Sequence, residues 1–402
     1  MTVPDLPSDS SVYRRQLVCK ELACFHCSRP HDVGFRYLSR GLVSLAIVAW
    51  CLILSSERFP LWAADSSGTC REQSVPRKGK QALIRHLDKA CTVAQREARV
   101  IRADEMLEAL KKGRDVDLSG VIVTGDLYLD ALPMRTLDKL LPSLSPEDRQ
   151  TVERLGTSAL RYVPGTVSIR DSEVRGKVLN RTKDEILAIA GPVILSGTRF
   201  QEVVDFSRTL FLGIVDCSST SFAKESYFVH ARFQQPALFT KTLFGPHTRF
   251  HRSVFEGTAN FYHARFSGLA ELLEVSFNQG ASFSGAQFSS GTGFSGSRFG
   301  GIADFVEAQF LGDVYFLFAR FDREARFRDA TFRMAADFSD GQFAGGQDLA
   351  QAAFIKPPQL PQSMRSDMPA PDVAPSWTAQ YGITVGFLAM SLLLLVYLFK
   401  LK

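Results

Sequence analysis

The sequence predicts an all-β solenoid, and three observations carry that reading. Phenylalanine is over-supplied, with 32 Phe against 9 Tyr and 3 Trp in 402 residues. Most of these Phe recur at a fixed spacing. A small residue stands two positions before nearly every one of them.

The first series is Phe200, Phe211, Phe222, Phe233, Phe244, Phe255, Phe266, Phe277, Phe288, Phe299, Phe310, Phe321, Phe332, Phe343 and Phe354, one at every eleventh residue. The second is Phe206, Phe228, Phe239, Phe250, Phe261, Phe283, Phe294, Phe305, Phe316, Phe327 and Phe338, interrupted only by Cys217, Leu272 and Leu349. The two interleave in steps of six and five, and a fixed internal period outranks every other signal in a chain. An 11-residue period also describes a right-handed coiled coil. Here, however, steps of five and six throw successive Phe to different sides of a helix. The 16 Gly between residues 197 and 346 would each cost a helix about 1 kcal/mol. Two before the series positions stand Ala, Gly, Ser, Thr or Val, with Gln347 the single departure among 29 sites. Residues i and i−2 share one side of a strand, so each unit reads as a short strand with one large and one small inward residue, then a corner.

The unit resembles that of the pentapeptide-repeat family: a small residue, a polar one, a central Leu or Phe, then two variable positions. Ala259-Asn260-Phe261, Ala303-Asp304-Phe305 and Ala336-Asp337-Phe338 carry the resemblance. It implies a right-handed quadrilateral β-helix with four short faces per coil. The extra residue at alternate corners gives a coil of about 22 residues. Earlier rungs keep phase in degenerate form (Leu118, Val123 and Leu129; Ile169 and Val174; Ile189 and Leu195). The solenoid is therefore expected to start near Asp117 and to occupy 115–355, with an insertion at 130–165 and a smaller irregularity at 175–188. The uninterrupted part, 200–354, amounts to about seven coils, or roughly 34 Å.

Open β-edges need caps. At the front, Ala103 to Lys112 reads as a helix, with Leu107 and Leu110 toward the first coil and Gly113 as its stop. A second helix is expected around Lys80 to Lys89, carrying His86, so that 63–114 forms a helical segment and cap. At the rear, Pro357-Pro358 is expected to end pairing, because Pro has no N–H for a ladder; 356–378 then reads as a Pro-rich linker. In the insertion, Leu137, Leu140, Leu141 and Leu144 have helical spacing, and Ser145-Pro146-Glu147-Asp148 reads as a capped helix start. This segment is either a lobe packed on the solenoid flank or a docking lobe for a partner.

Two apolar runs flank the repeats. Leu42 to Leu54 follows Arg29, Arg36 and Arg40 and suits a signal peptide or a signal anchor over 41–62. Tyr381 to Phe399 is uncharged, with Trp377 and Tyr381 in the place of an interfacial belt and Lys400 and Lys402 beyond it. It reads as a transmembrane helix over 379–400 with a cytoplasmic C-terminus. The repeat domain is then extracytoplasmic (periplasmic in a Gram-negative cell), and 1–40 a cytoplasmic tail. In that tail Cys19, Cys24, Cys27 and His31 have the spacing of a zinc set, but the favoured reading is a polar cytoplasmic tail, or an extension ahead of a start near Val33, with no metal expected. An oxidising compartment makes Cys70 and Cys91 a candidate disulfide, the alternative being two unrelated thiols. Cys217 reads as a small buried hydrophobe.

No catalytic constellation, cofactor motif or metal site is expected in the repeats. His230, His247, His251 and His263 fall at neither inward position, and no acidic residue stands at a useful spacing in sequence. The glycines of Gly291 to Gly301 keep the Phe register and read as corners. The net charge of +5 is too mild for a nucleic-acid binder. The DNA mimicry of gyrase-protecting family members needs a strongly acidic surface, whereas 196–354 carries 16 Asp+Glu and 14 Lys+Arg. The expected role is a membrane-anchored, non-enzymatic scaffold or protein-interaction surface for an unidentified protein. The competing reading is an enzyme with its site between the insertion and the first coils.

Overall fold

The chain divides into two compact units, Met1–Asp65 and Ser66–Lys402. The computed structural model describes residues 70–72, 82–182 and 184–362, all within the second. The expected cytoplasmic tail with its cysteines, both apolar runs, and the linker beyond Gln362 lie outside the described residues. Among the described residues no helix is long and apolar enough to cross a membrane.

Parallel strands, most of them two residues long, stack into four sheets of 11, 9, 10 and 11 strands, forming a β-helix. A residue pairs with the one directly above it in the next turn of chain. Phe200 lies opposite Phe222, Phe222 opposite Phe244, Phe211 opposite Phe233, and Phe332 opposite Phe354. Each sheet therefore contributes one inward column. Phe200 through Phe354 form the first and Phe211 through Phe343 the second. Phe206 through Phe338 form the third, with Leu272 in its middle. Leu195, Cys217 and Phe239 through Phe327 form the fourth.

The column Phe from Phe200 to Phe338 are buried, while Phe343 and Phe354 at the open end are only partly so and Phe318, on a corner outside the columns, is exposed. Within a column the rings stack nearly parallel: Phe233 and Phe255 are 4.4 Å apart at 4°, Phe288 and Phe310 4.9 Å apart at 2°. Between columns they meet edge-on, as Phe294 does with Phe305 at 5.4 Å and 85°. Both arrangements suit the aromatic quadrupole. The small inward residue fits beside these rings. At Thr198, Thr220, Thr242 and Ser297 its hydroxyl donates to a carbonyl of the coil beneath, as Thr242 does to Cys217 at 2.7 Å, whereas the buried hydroxyls of Thr209 and Ser253 have no partner among the described residues.

The five-residue steps are turned by one device. The carbonyl of most second-series residues accepts the N–H three residues on, as in Phe228 to Ala231 and Phe305 to Ala308; at Leu272 the Val275 N–H donates to the Ser297 hydroxyl instead. The residue between them, two after the Phe, has positive φ: His230 at 55°, Lys241 at 56°, Glu307 at 58°. Positive φ at that position alone is a type II turn. Glycine is the natural occupant and fills it at Gly285 and Gly296, but most coils carry a side chain there. The polar residue before the Phe has its own task. Asp205, Asp216, Asn260, Asp337 and Asp348 each accept the N–H two residues on, at 2.8–3.0 Å. These are Asx turns.

The front end departs from expectation. Leu83–His86 is a strand, not part of a helix, and pairs with Val116–Ser119. Ile101–Arg102 pairs with Ile122–Thr124. The ladder thus begins more than thirty residues before Asp117. The Leu-Ile-Arg-His run satisfies an otherwise open edge, and that gain overrides its weak helical pattern. Helix α1 (Val93–Glu97) is capped by a reciprocal box between Thr92 and Gln95, and α2 (Ala103–Lys111) follows the strand Ile101–Arg102 directly. Helix α2 buries Ala103, Met106, Ala109 and Leu110 over the first coil; Leu107 is only partly covered. At the rear, pairing does not stop at Pro357-Pro358. Gln359 has an N–H of its own, bridges Asp337, and donates to Ala336. Leu360 then sits buried at 7% exposure, in the place a further Phe of the third column would take over Phe338.

The insertion is a helical lobe. Met134–Thr136 runs antiparallel to Ala159–Val163. Between them lie α3 (Leu137–Leu140), a 3-10 turn over Leu141–Ser143, and α4 (Pro146–Glu153), whose N-cap Ser145 accepts from Asp148. Ala159–Val163 is itself a rung of the solenoid, paired with Leu187–Ile189, so the departure is shorter than 130–165. Leu140, Leu144, Val152 and Leu160 pack on Tyr162, Ala188, Leu210 and Leu212. Tyr162, Ala188 and Leu210 are one outward column in register. The next residue in that column is Arg232, and there the lobe's cover ends.

Two substitutions separate inside from outside. Phe294→Ala should cost about 3–5 kcal/mol through lost burial and an unfilled cavity. His263→Ala, at an exposed corner, should cost under ~0.5 kcal/mol. Urea titration of the full-length protein checks this, and equal costs would mean that the columns do not hold the fold.

Candidate functional site

Among the described residues the interior holds an apolar cavity of about 40 Å³ inside the front coils, between Met106, Val123, Ile169 and Phe200, so polar chemistry is confined to the outer columns and corners. Some surface charge is already in use. The Asp side chains of the Asx turns hold corners, and several Arg pair with an acid one coil away: Arg252 with Glu274 at 2.7 Å, Arg298 with Asp322 at 2.7 Å, Arg328 with Asp348 at 2.9 Å. The guanidinium of Arg252 holds the Glu274 carboxyl below the usual range.

The histidines show why sequence neighbours mislead in a solenoid, where spatial neighbours are a coil apart. His247 lies 3.5 Å from Glu271, an acidic partner that no short-range spacing reveals, and receives a bond from Arg249 at 3.1 Å. His86 is in a strand rather than a helix and lies 3.1 Å from Asp117. His263 stands on a corner, its Nδ1 3.3 Å from the Gly285 carbonyl. Among the described residues no group of three or more His, Cys, Asp or Glu is placed to hold a metal ion.

Cys70 and Cys91 form a disulfide. It ties residues 70–72, which pair antiparallel with Leu87 through Glu72, to the loop before α1. Cys217 is wholly buried in the fourth column, and burial raises its thiol far above the usual range, so it acts as a small hydrophobe.

Two concavities mark the outside. The larger, about 660 Å³, is a groove along one corner. Its floor is the corner column Lys241, His263, Gly285, Glu307 and Asp329, and its wall the face column from Leu243 and Arg265 to Gln309 and Thr331. The basic residues gather at one end and the acidic ones at the other. The second, about 230 Å³, lies at the seam between lobe and solenoid, where the competing enzymatic reading looks for a site. It is lined by Arg154, Arg208, His230, Arg232 and Arg252 over Ile186 and Leu210, and no carboxylate lines it. Burial, and then Arg208, Arg252 and His251, hold the His230 imidazole below the usual range, with Glu274 opposing. Sequence reading missed this cluster. Its signal was present in Arg208, His230 and Arg252, which stand 22 apart and so share a corner column.

Residues 218–265 and 261–309 match the family model for pentapeptide repeats (9 copies). No curated protein and no solved structure matches the chain.

Reduction of Cys70–Cys91, which closes a loop with a sequence separation of 21, should remove roughly 3 kcal/mol. The loss should be local. Amide exchange should speed up over Leu83–His86 and leave the Phe columns protected; an equal rise along all coils would contradict a capping role.

Proposed function

The chain is a pentapeptide-repeat protein, and we propose that it is a membrane-anchored, extracytoplasmic scaffold that binds a protein partner on its outer columns without chemistry of its own. The 22-residue register and the four sheets support reading the body as a right-handed quadrilateral helix. The disulfide supports an oxidising compartment; the apolar run at 381–399 supplies the anchor, and the run at 42–54 a signal peptide or a signal anchor.

The observation that carries the binding role is the corner groove. From Lys241 to Asp329 it crosses four coil-to-coil steps, about 19 Å, long enough for a short extended segment. Its ends carry opposite charge, Lys241 and Arg265 against Glu307 and Asp329. Charge laid out in this way selects the orientation of a partner as well as its composition. The segment that fits is extended, acidic where it meets Lys241 and basic where it meets Asp329. The rigid ladder beneath means that no ordering of the receptor opposes binding.

Two measurements test this. A photo-crosslinking residue at Gln309 should give a discrete adduct in cells, and Glu307→Lys with Asp329→Lys should abolish it while the melting temperature stays within a few degrees. An adduct indifferent to the reversal would remove the groove from the argument. For the anchor, a reporter after Lys402 should read cytoplasmic and a tag at Gln362 external; both on one side would refute the topology.

A further inference from the structure

The seam pocket supports an inference that is independent of the groove. It is built from three separate elements. Arg154 comes from the C-terminal cap of α4 in the lobe. Arg208, His230 and Arg252 come from consecutive coils of one corner column, and Arg232 from the adjoining face, in register above Leu210. Among the described residues only Arg252 of the four arginines has a carboxylate within ion-pair distance, Glu274 at 2.7 Å. Among the described residues Arg154, Arg208 and Arg232 make no ion pair. On the open faces some cations have an acid about one coil away, as in the Arg298–Asp322 and Arg328–Asp348 pairs, and others stand alone. The seam differs in gathering its unpaired arginines, with no carboxylate in the lining, into a concavity.

Like charges brought together without a counter-charge repel, and a bound anion relieves the repulsion. We propose that the seam pocket binds a phosphate group. A single carboxylate is satisfied by one guanidinium fork; forks converging from a helix end, a corner column and a sheet face suit the several oxygens of a tetrahedral oxyanion. The volume, about 230 Å³, admits one such group with a small substituent but not a folded partner. Ile186 and Leu210 in the lining give that substituent an apolar wall. Burial, and then Arg208 and Arg252, hold the His230 imidazole below its usual range, and a bound anion would relieve the part that the two arginines cause.

The full-length protein is titrated calorimetrically at fixed ionic strength with inorganic phosphate and, separately, with glycerol 3-phosphate as the soluble counterpart of a lipid headgroup. Saturable binding is expected. It should weaken about tenfold or more in Arg208→Gln and Arg232→Gln, recover in part in Arg232→Lys, and stay unchanged in Arg298→Gln, whose residue pairs with Asp322 far from the seam. The His230 ring resonances should move with the same saturation curve. Tighter binding of the ester assigns a headgroup; tighter binding of phosphate assigns the free anion. Absence of saturable binding by either anion overturns the proposal. So does an equal loss in Arg298→Gln, which would mean bulk charge rather than a site. Matching melting curves for the variants exclude unfolding as the cause.

Discussion

Two repeat distances have to agree for this structure to exist. Parallel strands in a sheet lie about 4.8 Å apart, and a ring carried on each strand must sit that far from the next. Offset-stacked aromatic rings accept such a spacing, and the stacked Phe pairs here lie between 4.4 and 5.6 Å apart. Backbone hydrogen bonding and ring stacking therefore ask for the same rise. Neither is strained to satisfy the other, and the four columns lock all four sheets to one register. A slip by one residue would turn every Phe outward, so the columns specify the register as well as stabilising it.

That agreement divides labour along each unit. The inward pair is committed to packing, and, where it is Asp or Asn, the residue before the second-series position is committed to its Asx turn. The corner residue at positive φ is strained for anything but glycine, yet most coils hold Lys, His, Glu, Asp or Arg there. Those side chains line both concavities. The coincidence is physical: corner residues one coil apart share a column, as Arg252 and Glu274 do, and beside the adjoining face column they line a groove.

The columns were legible because they depend on one residue type at one period. The lobe was legible for a related reason. Leu137, Leu140 and Leu144 have helical spacing, and Ser145-Pro146 marks the next start. The front cap was not. Leu83–His86 is a strand because an edge at Val116–Ser119 needs a partner, and nothing within the four residues records that need. Gln359 and Leu360 were hidden by the two prolines before them. The seam cluster was hidden differently. Its residues are far apart in sequence and belong together only once the coil is counted in steps of 22, with Arg154 supplied by an insertion outside that count.

Uniform register makes the molecule's length a whole-number quantity. From the rung at Phe200 to the one at Phe354 every turn of chain repeats without a break, so gain or loss of one 22-residue unit would move everything beyond it by a single increment of about 4.8 Å and change no contact type. The distance between the basic and acidic ends of the groove, or between the seam and Leu360, is thus set by counting rather than by shape. Lineages that duplicate or delete a unit could retune reach without rebuilding a core, much as a notched rule is cut to size.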